Sequence, residues 1–465
     1  MLFSSMIFLW LFLPVVLVIS KFLKTRQQNI FLLVASLFFY AWGEPKYVLL
    51  MLVSIFLNWG CGMLLTHAAA YKKAILIASV VFNLSLLGYF KYLGLLVRTL
   101  NHLLGREVLT APQIALPIGI SFFTFQALSY VIDVYRGTCA VQKNPLSLAL
   151  YIAFFPQLIA GPIVKYKEIN VQITDRRITS RGLMVGIRRF CYGLAKKVLI
   201  SNVLAQSADL IFALEMPEIT GILAWTAAFL YTFQIYYDFS GYSDMAIGLG
   251  SMFGFTLQEN FNYPYMSHSI REFWQRWHIS LSTWFREYVY IPLGGNRKGQ
   301  VRTYVNLGIV FLLTGIWHGA SYNFIFWGFY HGFFSILERL GVSGFLERHR
   351  RTAFMYTFLT VHFGWILFRI ESMRQILEFG KRILLPWCYT TSHYSVWEFV
   401  SPHTVFILIC AVGGMGILQN MTKKDERTLS WKFSMAELAY CTLLLLLSIS
   451  ALAGNTYNPF IYFRF

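Results

Sequence analysis

Apolar runs of bilayer length, parted by short basic clusters, recur along almost the whole of this chain, and that pattern excludes a soluble fold. Leu2 to Ile19, Tyr47 to Leu65 and Ala74 to Val97 are each long enough to cross hydrocarbon as a helix. Between the runs lie Lys21, Lys24 and Arg26, then Lys72 and Lys73, then Arg136 and Lys143, and a dense group from Arg176 to Lys197. Backbone inside a bilayer must satisfy its own polar groups, and runs near twenty residues choose the helix over the barrel strand. The reading is an all-α polytopic membrane protein with roughly eleven spans plus re-entrant and interfacial helices.

Composition agrees, with 57% hydrophobic and 13% charged residues. A net charge of +18 raises the question of nucleic acid. The basic residues are dispersed in loop-sized clusters, which matches cytoplasmic loops facing anionic lipid, so membrane lipids are expected partners and nucleic acid is not. The same bias puts both termini of the membrane-embedded chain on the extracytoplasmic side. Positive charges follow the first apolar run instead of preceding it, so that run is read as a helix and not as a cleavable signal. The six cysteines show no C-x-x-C spacing, and neither a disulfide framework nor a metal site is expected.

In order, Ile30 to Trp42 and Tyr47 to Leu65 read as a hairpin turning at Gly43-Glu44-Pro45, and Ile118 to Tyr135 as a further span. Leu146 to Val164 is interrupted by Pro156 and by Gly161-Pro162, which predicts a re-entrant segment. A long helix runs to about Leu214, Gly221 to Phe239 returns, and a break is expected across Tyr237 to Asp244. There Asp238 and Asp244 have a structural reading, bonded to arginines or backbone, and a cavity-lining one. Tyr356 to Phe368, Thr404 to Leu418 and Leu438 to Leu452 complete the spans. No internal repeat or inverted symmetry is visible, and residues 1–465 read as a single domain. Its N-terminal helices occupy 1–110, the core 117–340, and the C-terminal helices and aromatic tail 352–465.

The stretch from Ser267 to His331 carries the chemistry. It holds four of the ten histidines. His318 lies in a nearly uncharged apolar context, and an ionisable group at that depth costs roughly 2.5 to 3.5 kcal/mol, so it is kept for a task or satisfied by a carbonyl between helices. Arg271 to Tyr288 reads as one helix with Arg271, Trp274, His278, Leu281 and Phe285 along one face. Such a helix suits the membrane interface and also carries His278 towards a buried site. Ile291 to Lys298 is a glycine turn followed by two cations, suited to phosphate or to lipid headgroups.

Several motifs together resemble the membrane-bound O-acyltransferases, in the bacterial branch typified by the membrane subunit of alginate O-acetyltransferase. They are Pro117 to Gln126, Tyr130 to Gly137, Phe154 to Pro162, Asp238 to Gly248, Trp274 to Arg286, Tyr290 to Asn296 and Thr314 to Gly319. The resemblance implies a helical fold around a central tunnel, with His318 of the Trp317-His318-Gly319 motif as catalytic residue and His278 as the second. It implies acetyl-CoA as acyl donor, without a metal, and Trp274, Arg276, Trp277, Arg286, Asn296, Arg297 and Trp317 as candidate donor-binding or tunnel residues. Asn458 to Phe465 is similar to an aromatic tail of this branch. Tyr462 there is the expected acyl acceptor, against the other reading of an interfacial aromatic anchor. The implied partners are an extracytoplasmic SGNH-type transferase and a polysaccharide acceptor, and the implied location is a bacterial cytoplasmic membrane. D-alanyl transfer from a carrier protein, and transport of a lipid-linked glycan, stand as the alternatives.

Overall fold

The computed structural model describes residues 1–159, 161–418, 434–454, 457, 458 and 461. Among them the secondary structure is helical, and the single β-pairing recorded is an isolated antiparallel bridge between Phe261 and Trp277. Three helices are long and apolar enough to cross a membrane by themselves, Tyr47–His67, Lys72–Leu104 and Met435–Gly454. Others are cut into shorter pieces by π-helical turns, such as Lys196–Ser201, or by prolines.

The chain divides into two compact units. The first comprises residues 1–191 and 242–258. Its centre is a phenylalanine cluster in which Phe155 meets Phe12 edge-on at 5.3 Å and Phe39 at 5.4 Å. Helices Tyr47–His67 and Lys72–Leu87 are joined by amide exchange, Asn83 donating to Asn58 Oδ1 at 2.8 Å and Asn58 donating back at 3.2 Å. Such side-chain bonds tie helices together where lipid offers no competing water. The expected interruption of Leu146 to Val164 is present. Helix Pro145–Ala153 stops at Phe154, whose ψ of 112° is extended. Pro156 cannot donate a backbone bond, and its ring would strike the carbonyl one turn back if the helix ran on.

The second unit comprises residues 192–241 and 259–465. Its core is aromatic, built on the fully buried Trp327 and Trp365 with Phe233, Tyr236, Tyr265, Phe273 and Trp277. The Gly221–Met252 helix is continuous, so the break expected across Tyr237 to Asp244 is absent. The glycine at its middle serves close packing: a Cβ on Gly241 would stand 2.8 Å from the Gly193 carbonyl oxygen. Both acids are bonded to cations, Asp238 to Lys197 at 2.5 Å within the second unit and Asp244 to Arg189 at 2.7 Å within the first.

Candidate active site

The site lies wholly in the second unit. His318 is the last residue of helix Gln300–His318 and is 3% exposed. Its ring is enclosed by Trp317 and Trp327, each with centroids at 5.0 Å, and by Phe368 at 5.1 Å. The glycine of the Trp-His-Gly motif has a steric cause. Gly319 is extended, at φ −164°, but a Cβ there would run into the Phe324 ring. The helix carrying His318 packs against Tyr322–Leu337 with the same intimacy, since a Cβ on Gly328 would come 2.5 Å from the Phe311 carbonyl oxygen.

His278 is fully buried, and it does not sit within one helix as its spacing suggests. The chain forms two short helices, Ile270–Arg276 and Ile279–Phe285, with Trp277 extended and His278 left-handed at φ 44°. The interruption is held by non-local backbone bonds, Asn262 N–H to Arg276 at 2.9 Å and Ile279 N–H to Asn260 at 3.0 Å, flanking the Phe261–Trp277 bridge. Glu338, just beyond helix Tyr322–Leu337, accepts from the amides of Ile270 at 2.5 Å and Arg271 at 3.2 Å, closing the first short helix. Burial holds the Glu338 carboxyl above the usual carboxylate range, with those two amide bonds pulling it down.

Asn260 also fixes the His278 ring. Its Oδ1 accepts from the Ser280 amide at 3.2 Å and hydroxyl at 2.9 Å, and lies 3.1 Å from His278 Nδ1. An oxygen already accepting from an amide is an acceptor, so Nδ1 carries the hydrogen and Nε2 presents the lone pair. Phe239 packs edge-on to this ring at 4.7 Å, and Trp317 lies 6.0 Å away on another side. The Trp317 indole therefore touches both predicted catalytic histidines. His331, left open by the sequence, is fully buried, edge-on to Trp274 at 5.1 Å and against Trp327 at 4.9 Å.

A cavity of about 1050 Å³ lies in the same unit, reaching Trp274, Ile279 and Thr314, and neither His278 nor His318 is in its wall. Of the predicted donor-binding residues, Trp274, Arg286 and Asn296 line it. Arg276, Trp277, Arg297 and Trp317 are not in its wall. Arg276 is instead paired with Glu272 at 2.8 Å, Trp277 is packed in the core with Trp365 at 4.7 Å, and Arg297 is exposed. Arg271, which the sequence placed on the face of His278 without a donor-binding role, also lines the cavity, as do Arg339 and Arg350, which the sequence did not single out. The wall carries four arginines and three glutamates, of which Glu272 is paired with Arg276 and Glu338 accepts from backbone amides and lies within the field of Arg271. Thr314, one turn before His318, reaches the same cavity. Among the described residues, no group of three or more His, Cys, Asp or Glu side chains is arranged to hold a metal ion.

Tyr462 lies outside the described residues. Tyr457, Asn458 and Ile461 of the same tail are inside them, and all three bond within this unit.

The family model for MBOAT, the membrane-bound O-acyltransferase family, matches residues 140–373. The chain is 40% identical to the probable alginate O-acetylase AlgI of Pseudomonas putida, with 100% of each chain aligned. It is 46% identical to the protein of that name from Pseudomonas aeruginosa, over 80% of this chain and 73% of the other. A peptidoglycan O-acetyltransferase of Helicobacter pylori is 37% identical over 82% of this chain and 79% of its own length.

Proposed function

The chain belongs to the membrane-bound O-acyltransferase family and is an acyltransferase, and from that premise we propose that it moves acetyl from cytosolic acetyl-CoA to a hydroxyl, for O-acetylation of a cell-envelope or secreted polysaccharide. The observation that carries the reading is the meeting of His278 and His318 on the Trp317 indole, in the same unit as an arginine-lined cavity. A thioester has a good leaving group, so the needs are a base, an orienting group and dryness. His318 takes the proton of the attacking hydroxyl as its oxygen adds to the acetyl carbonyl. The C–S bond then breaks, and the departing thiolate recovers the proton from the imidazolium as CoA is released. His278 donates through Nδ1 to Asn260, so its neutral ring accepts at Nε2 and is suited to align the incoming hydroxyl or a donor amide N–H.

The donor is highly charged and cannot enter hydrocarbon. Its phosphates suit the Arg271, Arg286, Arg339 and Arg350 side of the cavity, and its thioester arm reaches inward past Trp274. In this reading the first acceptor is the Tyr462 phenol, which is easier to deprotonate than a sugar hydroxyl. An extracytoplasmic SGNH-type transferase then carries the acetyl group to the glycan, and both termini face that side of the bacterial inner membrane.

Incubation of purified full-length protein with isotopically labelled acetyl-CoA, followed by mass spectrometry of the tail peptide, tests this directly. Label on Tyr462 that is absent from His318→Ala and Tyr462→Phe is the expected result. His318-dependent release of CoA without tail label would retain the acetyltransferase and remove the relay. Absence of both, with D-alanyl carrier protein active as donor instead, would overturn the reading.

A further inference from the structure

Three aromatic rings close on the His318 imidazole, each from a different place in the fold. Trp317 is its chain neighbour, Trp327 stands on helix Tyr322–Leu337, and Phe368 stands on helix Arg350–Arg369. The cavity that suits the donor stops short of this ring, since His318 is not in its wall. An acyl group delivered to His318 therefore has to fit among the three rings.

Phe368 has little freedom to move aside. Its ring meets Phe324 edge-on at 5.0 Å, Trp327 at 5.3 Å and Trp365 at 5.7 Å. Phe324 in turn lies so close to Gly319 that a Cβ there has no room. The helix end that carries Phe368 is fixed by the next residue, Arg369, which pairs with Asp209 at 2.8 Å. A close-packed wall of this kind does not make room by compression.

On the proposed function, the carbon under attack bears the donor sulfur, the carbonyl oxygen, the incoming hydroxyl oxygen and the acyl chain. The sulfur arrives from the side of Trp274, which lines the cavity and meets Trp327 at 5.5 Å. The hydroxyl is aligned where His278 and His318 share the Trp317 indole. Of the rings around His318, the one left for the acyl chain is Phe368.

We propose that Phe368 sets the length of acyl group the protein accepts: its ring stands where the later carbons of a longer chain would lie, so acetyl fits and butyryl does not. The inference rests on the proposed function and deepens it. Phe368 is a specificity-determining residue, and proton transfer stays with His318. The bonds made and broken are the same for either thioester, and only the space differs. A methylene too many in an apolar pocket is worth roughly 10- to 200-fold, so two predict a preference for acetyl over butyryl of roughly 100-fold or more. A space of about 150 Å³ left by deleting a large apolar side chain takes up a guest the size of benzene, so Phe368→Ala has room for the butyryl chain.

The experiment supplies membranes containing the full-length protein with equal amounts of acetyl-CoA and butyryl-CoA. Mass spectrometry follows the loss of each, and the rates in His318→Ala membranes are subtracted. Both donors compete for the same molecules, so the ratio does not depend on how much protein is folded. Phe368→Ala and Phe368→Leu are compared with Phe379→Ala, which removes a fully buried ring packed instead on Phe212 at 5.3 Å. The expected result is a preference for acetyl that falls at least tenfold in Phe368→Ala, falls less in Phe368→Leu, and keeps its native value in Phe379→Ala.

A native ratio in Phe368→Ala protein that still consumes acetyl-CoA would overturn the assignment. So would an equal fall in Phe379→Ala, which is the mark of general loosening, or native protein that consumes both donors alike. Should Phe368→Ala be unfolded or inactive, Phe368→Leu decides, with propionyl-CoA as the competing donor. Native protein with no His318-dependent loss of either donor would overturn the proposed function and the acyl limit together, whereas acetyl-CoA turnover with an unmoved ratio removes the limit alone.

Discussion

His278 is held at φ 44° and ψ 53°, a left-handed conformation that costs an L-residue about 1 to 2 kcal/mol. The strain is sustained by Asn260, which fixes the ring and accepts from Ser280 as well. Asn260→Ala is therefore expected to lower kcat while costing about 1 to 3 kcal/mol of stability, because buried donors lose their acceptor. Thermal melting and steady-state acetyl transfer on the same preparation check both effects. His318→Ala makes the contrasting case, with a loss of about 10² to 10⁴-fold in transfer and a fold retained in the melting curve. His318 stands out in sequence as an ionisable group in apolar surroundings, whereas His278 was singled out by its helical spacing and by the motif resemblance. Asn260 was not, since its role depends on a pairing between residues 260–262 and 276–279 that no local periodicity announces.

At the scale of elements, spacing read Arg271 to Tyr288 as one helix, and the chain instead breaks at residues 277 and 278. No glycine or proline marks the break, which is made by tertiary backbone bonds that outweigh a helical preference. The reverse occurred at Tyr237 to Asp244, where a break was expected and the helix is unbroken, its glycine serving close packing, while the two acids take the structural, bonded reading. Glu338 supplies the acceptor for two amides at the start of Ile270–Arg276, so Glu338→Ala is expected to destabilise by about 1 to 3 kcal/mol. Faster exchange confined first to residues 270–277 is the accompanying signature. Gly328→Ala inserts a methyl group where the Phe311 carbonyl oxygen stands 2.5 Å from the would-be Cβ. Parting the two helices costs about 1 to 3 kcal/mol and shifts His318, so activity falls further than the melting temperature implies.

For the molecule as a whole, alternation of apolar runs and basic clusters was enough to establish a helical membrane protein, because the bilayer restricts what backbone can do within it. The walls of the cavity were less legible, since Arg339 and Arg350 come from turns and helix starts that carry no shared spacing with Arg271. An arginine-lined entrance predicts a donor KM that rises as ionic strength goes from about 0.01 M to about 1 M, as the Debye length shortens from ~30 Å to ~3 Å. With kcat unchanged across that range, the field acts in capture of the donor and not in the transfer step. The seating of Tyr457, Asn458 and Ile461 by Asp209, Asn202 and Asp238 has a consequence for competition. An acceptor carried on the same chain, as proposed for Tyr462, would be present at an effective concentration on the order of millimolar, whatever the amount of protein in the membrane. On that proposed reading, a peptide or phenol added from outside competes with a tethered acceptor and must out-bind it before it can receive anything.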